Sequence, residues 1–372
     1  MLQTDLSGND GASRDMKSNV PLIRSLILPC IRKFIDIFNV MRASRFVVEK
    51  YKASRKELTT FIEKSKNLLD TNIEIGLYHF YKGNISDAKL RFRVISIFRA
   101  NSATVCYNIG RCYFAEGNIN KAYKCFIKTI KLDSHHEEAS YYIKKITHST
   151  SIKQLPKNLI KQYFDHTGEY FVEHWLIAKQ YRGHELIHTA ITKVFKNDFH
   201  SKFSILDLGC GTGICGHFLK IHNIGSHNTG VDISNRMLNI ARGCLIKGKA
   251  VYNELIRMEI TDFLKQEKNH KYDVIIFAEV LHYLHDFQLE LELAKKCISK
   301  KGAIVCLARR KDGDGIDFIN RGDYFCHSES YVRNVAKEIN MQISYISYCK
   351  IYGTQVDGIL FVLQHQKKNS EN

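Results

Sequence analysis

The 372-residue chain contains eleven cysteines but no CxxC pair, and their number is odd. That argues against a disulfide framework or a cysteine-based zinc site, and it fits a reducing, cytoplasmic setting. Prolines are equally sparse: Pro21, Pro29 and Pro156 are all there are. Pro156 comes after the stretch His148-Ser149-Thr150-Ser151, which reads as an inter-domain joint. The polar residues 1–18 carry no export-signal pattern. No apolar run is clean enough to span a bilayer, because the most apolar stretch, residues 20–41, is broken by Arg24, Arg32, Lys33 and Asp36. As a basic amphipathic helix it suits either an anionic membrane surface or packing against neighbouring helices.

Acidic groups are in deficit, with 38 Asp and Glu against 55 Lys and Arg, a net charge of +17. Residues 1–155 carry 26 basic and 14 acidic groups, and residues 156–372 carry 29 and 24, so the excess lies mainly in the N-terminal part. Such an excess suits an acidic partner, a membrane surface or nucleic acid. No Arg/aromatic recognition motif accompanies it, so solvated helix faces are expected and a nucleic-acid partner is not. A hydrophobic content of 44% excludes wholesale disorder, and the length calls for at least two domains.

What is present begins with a repeat. Gly76, Gly83, Asn84, Ile85, Ala88 and Phe92 recur 34 residues later as Gly110, Gly117, Asn118, Ile119, Ala122 and Phe126. This is the tetratricopeptide (TPR) pattern of paired helices. Gly76 and Gly110 allow close helix approach, the Gly-Asn pairs turn the chain, and Phe92 and Phe126 fill the space between helices. Glu138–Thr147 supplies a capping helix and residues 43–70 a preceding one. Such a module offers a docking groove for a protein partner or a scaffold for the C-terminal half of the chain.

After Pro156 the pattern alternates between strands and helices. Strand-like runs are Phe203–Leu208, Thr229–Ile233, Leu255–Glu259, Val274–Ala278, Ala303–Ala308, Gln342–Tyr348 and Ile359–Leu363. Helical patterns come after the first strands at Ile214–His222, Asn235–Leu245, near Phe263 and at Phe287–Ser299; Ser328–Ile339 precedes the last pair. Five β-α units predict a doubly wound parallel sheet, with the final two strands added as a hairpin at its edge.

The first strand runs into Asp207-Leu208-Gly209-Cys210-Gly211-Thr212-Gly213. Glycines there permit a tight turn and close approach of a ligand to backbone. Asp207 would repel a phosphate and suits a cationic ligand. Asp232, in Gly230-Val231-Asp232-Ile233-Ser234, falls 25 residues later, where a carboxylate can bond a ribose diol. Thr261-Asp262-Phe263 comes after the third strand, where an acid and an aromatic can frame an adenine. Glu279, in the run from Ala278 to Leu284, leaves the fourth strand at the same end of the sheet.

These residues resemble class I S-adenosylmethionine (SAM) dependent methyltransferases over roughly residues 160–365. More narrowly the chain is similar to the bacterial family of TPR-containing predicted methyltransferases. That family has segments like Tyr163-Phe164-Asp165-His166 through Tyr170-Phe171-Val172-Glu173-His174-Trp175-Leu176, and like Gly322-Asp323-Tyr324-Phe325-Cys326-His327. Val172 departs from it, standing where the family usually keeps an Asp. The resemblance implies a Rossmann-like seven-stranded α/β sheet with SAM over the first two strand ends. Gly209, Gly211 and Gly213 would line the methionine part, Asp232 the ribose, and Asp262 with Phe263 the adenine; Asp207, Cys210, Ile233, Glu279 and Tyr170 complete the expected cofactor set.

His327 is the first candidate for a base or for orienting the acceptor, with His174, Tyr170 and His282 after it. A base is needed only if the accepting atom carries a proton. No Asn-Pro-Pro-Tyr-like tetrad of base-modifying methyltransferases occurs, which leaves a small-molecule or protein acceptor. His184-Glu185-Leu186-Ile187-His188 fits HExxH, but no third ligand accompanies it and no metal is expected. The expected organisation is a disordered tail at 1–18, a basic helical segment at 19–70 and TPR repeats with a capping helix at 71–150. A linker with lid-like helices comes next at 151–190, then the methyltransferase domain at 191–366 and a tail at 367–372. Two other readings fit parts of the pattern: a TPR adaptor with an inactive methyltransferase fold, and a nicotinamide-dependent oxidoreductase using Asp232 on a ribose.

Overall fold

The computed structural model describes residues 55–196, 200–268 and 271–366, with side chains from Asn67 onward except Glu169 and Tyr170. The expected tails at 1–18 and 367–372, residues 19–54 including the apolar segment 20–41, and the side chain of Tyr170 lie outside the described residues. The described residues divide into two units between Thr71 and Asn72. No described helix is long and apolar enough to cross a membrane.

Helix α1 (Arg55–Tyr81) and α2 (Ile85–Phe98) form one hairpin, and α3 (Ala103–Ala115) and α4 (Ile119–Leu132) a second, each element of the second ending 34 residues after its counterpart. The sequence repeat is thus a repeat of structure. Gly83 and Gly117 turn the chain at φ +83° and +76°, a region that disfavours residues with a Cβ. A Cβ on Gly76 would stand 2.7 Å from Phe92, and one on Gly110 would stand 2.7 Å from Phe126. Helix α5 (Glu137–Thr147) packs on α4, close to the expected capping helix.

Helix α6 (Lys157–Phe171) runs into a π-helical stretch at Val172–Ala178, and α7 (Gly183–Phe195) leads to the sheet. The seven principal strands are β1 (Ser204–Leu208), β2 (His227–Asp232), β5 (Glu254–Arg257), β6 (Tyr272–Ala278), β7 (Ile298–Arg309), β10 (Met341–Tyr352) and β11 (Gln355–His365). Two small hairpins interrupt them, β3 (Leu245–Ile246) with β4 (Lys249–Ala250), and β8 (Ile316–Ile319) with β9 (Tyr324–His327). The sheet order is β10-β11-β7-β6-β1-β2-β5, parallel except where β11 pairs with β7 and β10. All seven strands fall where the apolar runs predict them; the central ones, such as β6 and β7, are covered on both faces and so read as near-continuous hydrophobic segments.

Side-chain alternation builds the two core layers. Val274, Ile276, Val305 and Leu307 face α7 and α8 (Ile214–Ile221). Ile275, Phe277, Ile304 and Cys306 face the opposite layer, with α10 (Ile260–Gln266), α11 (Gln288–Cys297) and α12 (Glu329–Glu338). Helix α9 (Asn235–Arg242) lies between β2 and β3 in sequence and packs against α6. The helical hairpins do not stand apart from this core. Tyr107, Phe126 and Tyr142 share an apolar cluster with Ile152, Leu155 and Phe325 of β9. Tyr141 Oη donates to Asp323 Oδ1 at 2.5 Å, and the Lys145 ammonium pairs with the same carboxylate.

Candidate active site

Parallel strands deliver their C-terminal residues to one edge, and at the switch in strand order between β1 and β6 that edge opens into a crevice. Asp207 and Asp232 stand near the ends of β1 and β2 there. Between β1 and α8 the loop keeps left-handed backbone at Gly209 (φ +75°), Gly211 (+55°) and Gly213 (+85°). The three glycines do different things. A Cβ on Gly209 would stand 2.9 Å from Val280, and one on Gly213 would stand 3.0 Å from Tyr252, so both serve close packing. A Cβ on Gly211 meets nothing within 4 Å. That open backbone is where a ligand can approach.

The carboxylates are wired differently. Asp232 Oδ2 accepts the Gly211 amide at 2.9 Å and Oδ1 accepts the Ser234 amide at 2.8 Å. Ser234, not Asp232, caps α9, accepting the Met237 amide, and its own hydroxyl donates to Asp165 at 2.6 Å. Asp207 Oδ2 accepts from Tyr252 Oη at 2.7 Å, while Oδ1 is buried with no partner. Burial pushes both acids up to about 6; Tyr252 offsets this in part at Asp207, and the Ser234 and Gly211 amides do so at Asp232.

Asp207, Gly209, Cys210, Gly211, Asp232, Ile233 and Glu279 all line one cavity of about 950 Å³. Its wall extends to α6, to Trp175 in the π-helical stretch, and to Phe80, Tyr81, Arg111 and Tyr142 of the helical module. Glu279 adopts φ +57°, and its Oε2 accepts from Arg309 at 3.0 Å and from Tyr352 at 2.8 Å. His282 lies behind it, with Nδ1 3.7 Å from Glu279 Oε1, and burial holds its pKa well below the usual imidazole value.

Other expected residues are not on this wall. Asp262 is exposed, in the first turn of α10, while Phe263 points into the sheet core beside Leu206 and Phe277. Successive residues on a helix diverge by about 100°, so the pair cannot frame one ligand from the same side. Met258, Glu259, Ile260 and Thr261 line the cavity instead. His327 is fully buried, its Nε2 3.1 Å from the Leu284 carbonyl oxygen and 3.0 Å from that of His285, and packed on Phe287 and Tyr331. It brackets the loop after β6 rather than facing the cavity, and burial lowers its pKa to about 4. His174 is exposed and also off the wall.

Sequence reasoning missed Tyr252, Arg309 and Tyr352. Arg309 ends β7 at the same edge as the acids, a placement the strand pattern contained; nothing in the spacing singled out the two tyrosines. His184 and His188 share a face of α7 as the HExxH spacing requires, but both lie against the Phe218 ring, and Glu185 pairs with Arg182 at 3.0 Å. Among the described residues no group of three or more His, Cys, Asp or Glu is placed to hold a metal ion.

Residues 206–304, which hold the loop, both acids and Glu279, match the methyltransferase domain family. By that match residues 206–304 resemble a methyltransferase domain. A protein of Methanocaldococcus jannaschii described as uncharacterized is 32% identical over 112 residues, 30% of this chain and 28% of that protein. The match thus spans less than a third of that relative's length. Among solved structures, the magnesium protoporphyrin IX methyltransferase of Synechocystis with bound SAM is 16% identical, covering 57% of this chain and all of that one, with a TM-score of 0.43. The 1,6-didemethyltoxoflavin-N1-methyltransferase of Burkholderia thailandensis is 10% identical over 59% of this chain and 94% of that one, with a TM-score of 0.45.

Proposed function

We propose that the protein is a class I methyltransferase that moves a methyl group from SAM to a small molecule bound in the cavity. The observation that carries this is the pairing of an open glycine backbone at Gly211 with an unpartnered, buried carboxylate oxygen on Asp207. A buried carboxylate oxygen without a partner is costly, and a cationic ligand group at that position relieves it. SAM, when bound, supplies a methyl group already activated by its sulfonium. The chain's part is to hold, align and keep out water.

In this reading Asp207 meets the ligand's cationic amino-acid end, and Gly209, Cys210 and Gly211 run along it. Asp232 keeps two lone pairs beyond its backbone bonds for the ribose hydroxyls, with Ile233 beside it. Met258 to Thr261 border the adenine. The acceptor lies toward Glu279, His282, Tyr283 and Arg309. His282, with its Nδ1 3.7 Å from Glu279 Oε1, is the imidazole placed on this wall to take a proton when the accepting atom carries one. The helical hairpins are TPR repeats that close the cavity and leave their outer face for a protein partner.

Calorimetry with SAM and with NADH tests the cofactor: SAM binding without NADH binding is expected, and the reverse would sink this reading. Incubating the protein and methyl-labelled SAM with cell extract then identifies the acceptor as the species that acquires label.

A further inference from the structure

Arg111, on α3 of the helical module, is 2% exposed yet belongs to the wall of the cavity that holds Gly211 and Asp232. Its guanidinium donates to Tyr81 Oη at 2.8 Å and to Asn108 Oδ1 at 3.2 Å. It lies over the rings of Phe80, Tyr81 and Tyr107 at 4.2, 5.0 and 5.5 Å. Nε has no partner. Among the described residues no carboxylate lies within ion-pair distance of it.

Two other cations on this cavity wall have their counter-charge, while Lys153 there is exposed to solvent. Arg309 pairs with Glu279 and Lys157 with Glu259, each at 3.0 Å. Buried charges are as a rule paired, and a guanidinium presents a planar fork that matches a carboxylate or phosphate. Ring faces and neutral oxygens stabilise the cation but do not neutralise it. The wall of the same cavity also carries the aromatic and apolar side chains of Tyr142, Leu159, Tyr163 and Phe164.

We infer that the methyl acceptor is an anionic small molecule, with an aromatic or apolar body and an oxyanion that meets Arg111. This rests on the methyltransferase reading above. The helical hairpins then do more than cover the catalytic half: they select the acceptor by charge.

The test uses the full chain with S-adenosylhomocysteine bound and ligand-observed NMR. The probes are matched fragments on one aryl body: aryl acetates, aryl phosphates, the corresponding amides and the corresponding amines. Acetates or phosphates are expected to bind about tenfold or more tightly than the amides, and the better of the two names the oxyanion. In R111Q the preference falls to about threefold or less, while R111K, which keeps the charge, retains it in weakened form. Circular dichroism and S-adenosylhomocysteine calorimetry establish that each variant is folded. If R111Q does not fold, wild type and R111K decide. No binding by any anionic fragment, a preference for amides or amines, or an anion preference unchanged in R111Q overturns the inference. Failure of wild type to bind S-adenosylhomocysteine overturns the methyltransferase reading instead; the fragments are then titrated into the unliganded protein, so the two failures separate.

Discussion

Asp232 and Gly211 are joined at 2.9 Å, carboxylate oxygen to backbone amide, so the acid that closes β2 also fixes the loop that leaves β1. The same carboxylate holds the Ser234 amide. Replacing it with alanine removes both bonds and leaves two amides without their acceptor. Asp232→Ala is expected to lose about 1–3 kcal/mol of stability in urea melts and about tenfold or more in SAM affinity by calorimetry. Asp232→Asn keeps an amide oxygen and loses the charge, so its stability loss is smaller while affinity still drops. SAM affinity equal to wild type in the alanine variant would remove Asp232 from the site.

The two buried acids give a pH signature. Their folded-state values of about 6 lie above the ordinary 3.8, so the folded state holds protons that the unfolded chain has released. The stability they contribute is present below about pH 4 and is lost as the pH rises through 6. Binding of a cation needs the ionised acids and runs the opposite way. The thermal shift produced by saturating SAM should therefore grow between pH 5 and 7 and level off above. A shift that is flat across that range would mean neither acid meets a cation.

Tyr252 supports Asp207 through a hydroxyl that donates at 2.7 Å. Tyr252→Phe leaves the ring against Gly213 and Gly216 and removes only that donor. Asp207 then titrates still higher, and SAM affinity at pH 6 should fall by more than at pH 8. Equal losses at both values would assign Tyr252 a packing role alone.

His327 should behave as a scaffold residue. His327→Ala opens a hole beside Phe287 and frees the Leu284 and His285 carbonyls, at a cost of about 2–5 kcal/mol. SAM affinity, measured well below the melting temperature, should change less than fivefold. A variant of wild-type stability with SAM binding abolished would return His327 to the site.

In the helical module the prediction concerns volume. A methyl group on Gly110 would stand 2.7 Å from Phe126, closer than side-chain carbons come, and Phe126 is fully buried. Gly110→Ala should cost about 1–3 kcal/mol by thermal melting despite the better helix propensity of alanine. No loss would mean that the ring has room to move.

The seven principal strands, the helical hairpins of period 34 and the glycine loop with its two acids were all legible in the residue pattern. Each is a local signal: an apolar run bounded by turns, a small residue at a fixed offset, a carboxylate closing a strand. Such signals survive because covered strands and close helix crossings restrict which side chains fit. The segments beyond the strand ends were less legible. Asp262 and Phe263 are adjacent in sequence, but the start of α10 turns one to solvent and the other into the core. His327 was misplaced because β9 belongs to a short hairpin whose pattern is too brief to read.

Which distant groups share the cavity follows from the packing of whole elements. Tyr252 reaches Asp207 across 45 residues, and Asp323 receives Tyr141 and Lys145 across nearly half the chain. Through that docking Arg111 comes to the same enclosed space as Gly211. Periodicity records which face of an element is apolar; it carries no distance between elements. That distance is set by how whole faces pack, and here it brings a cation from the repeats to a loop made by the sheet.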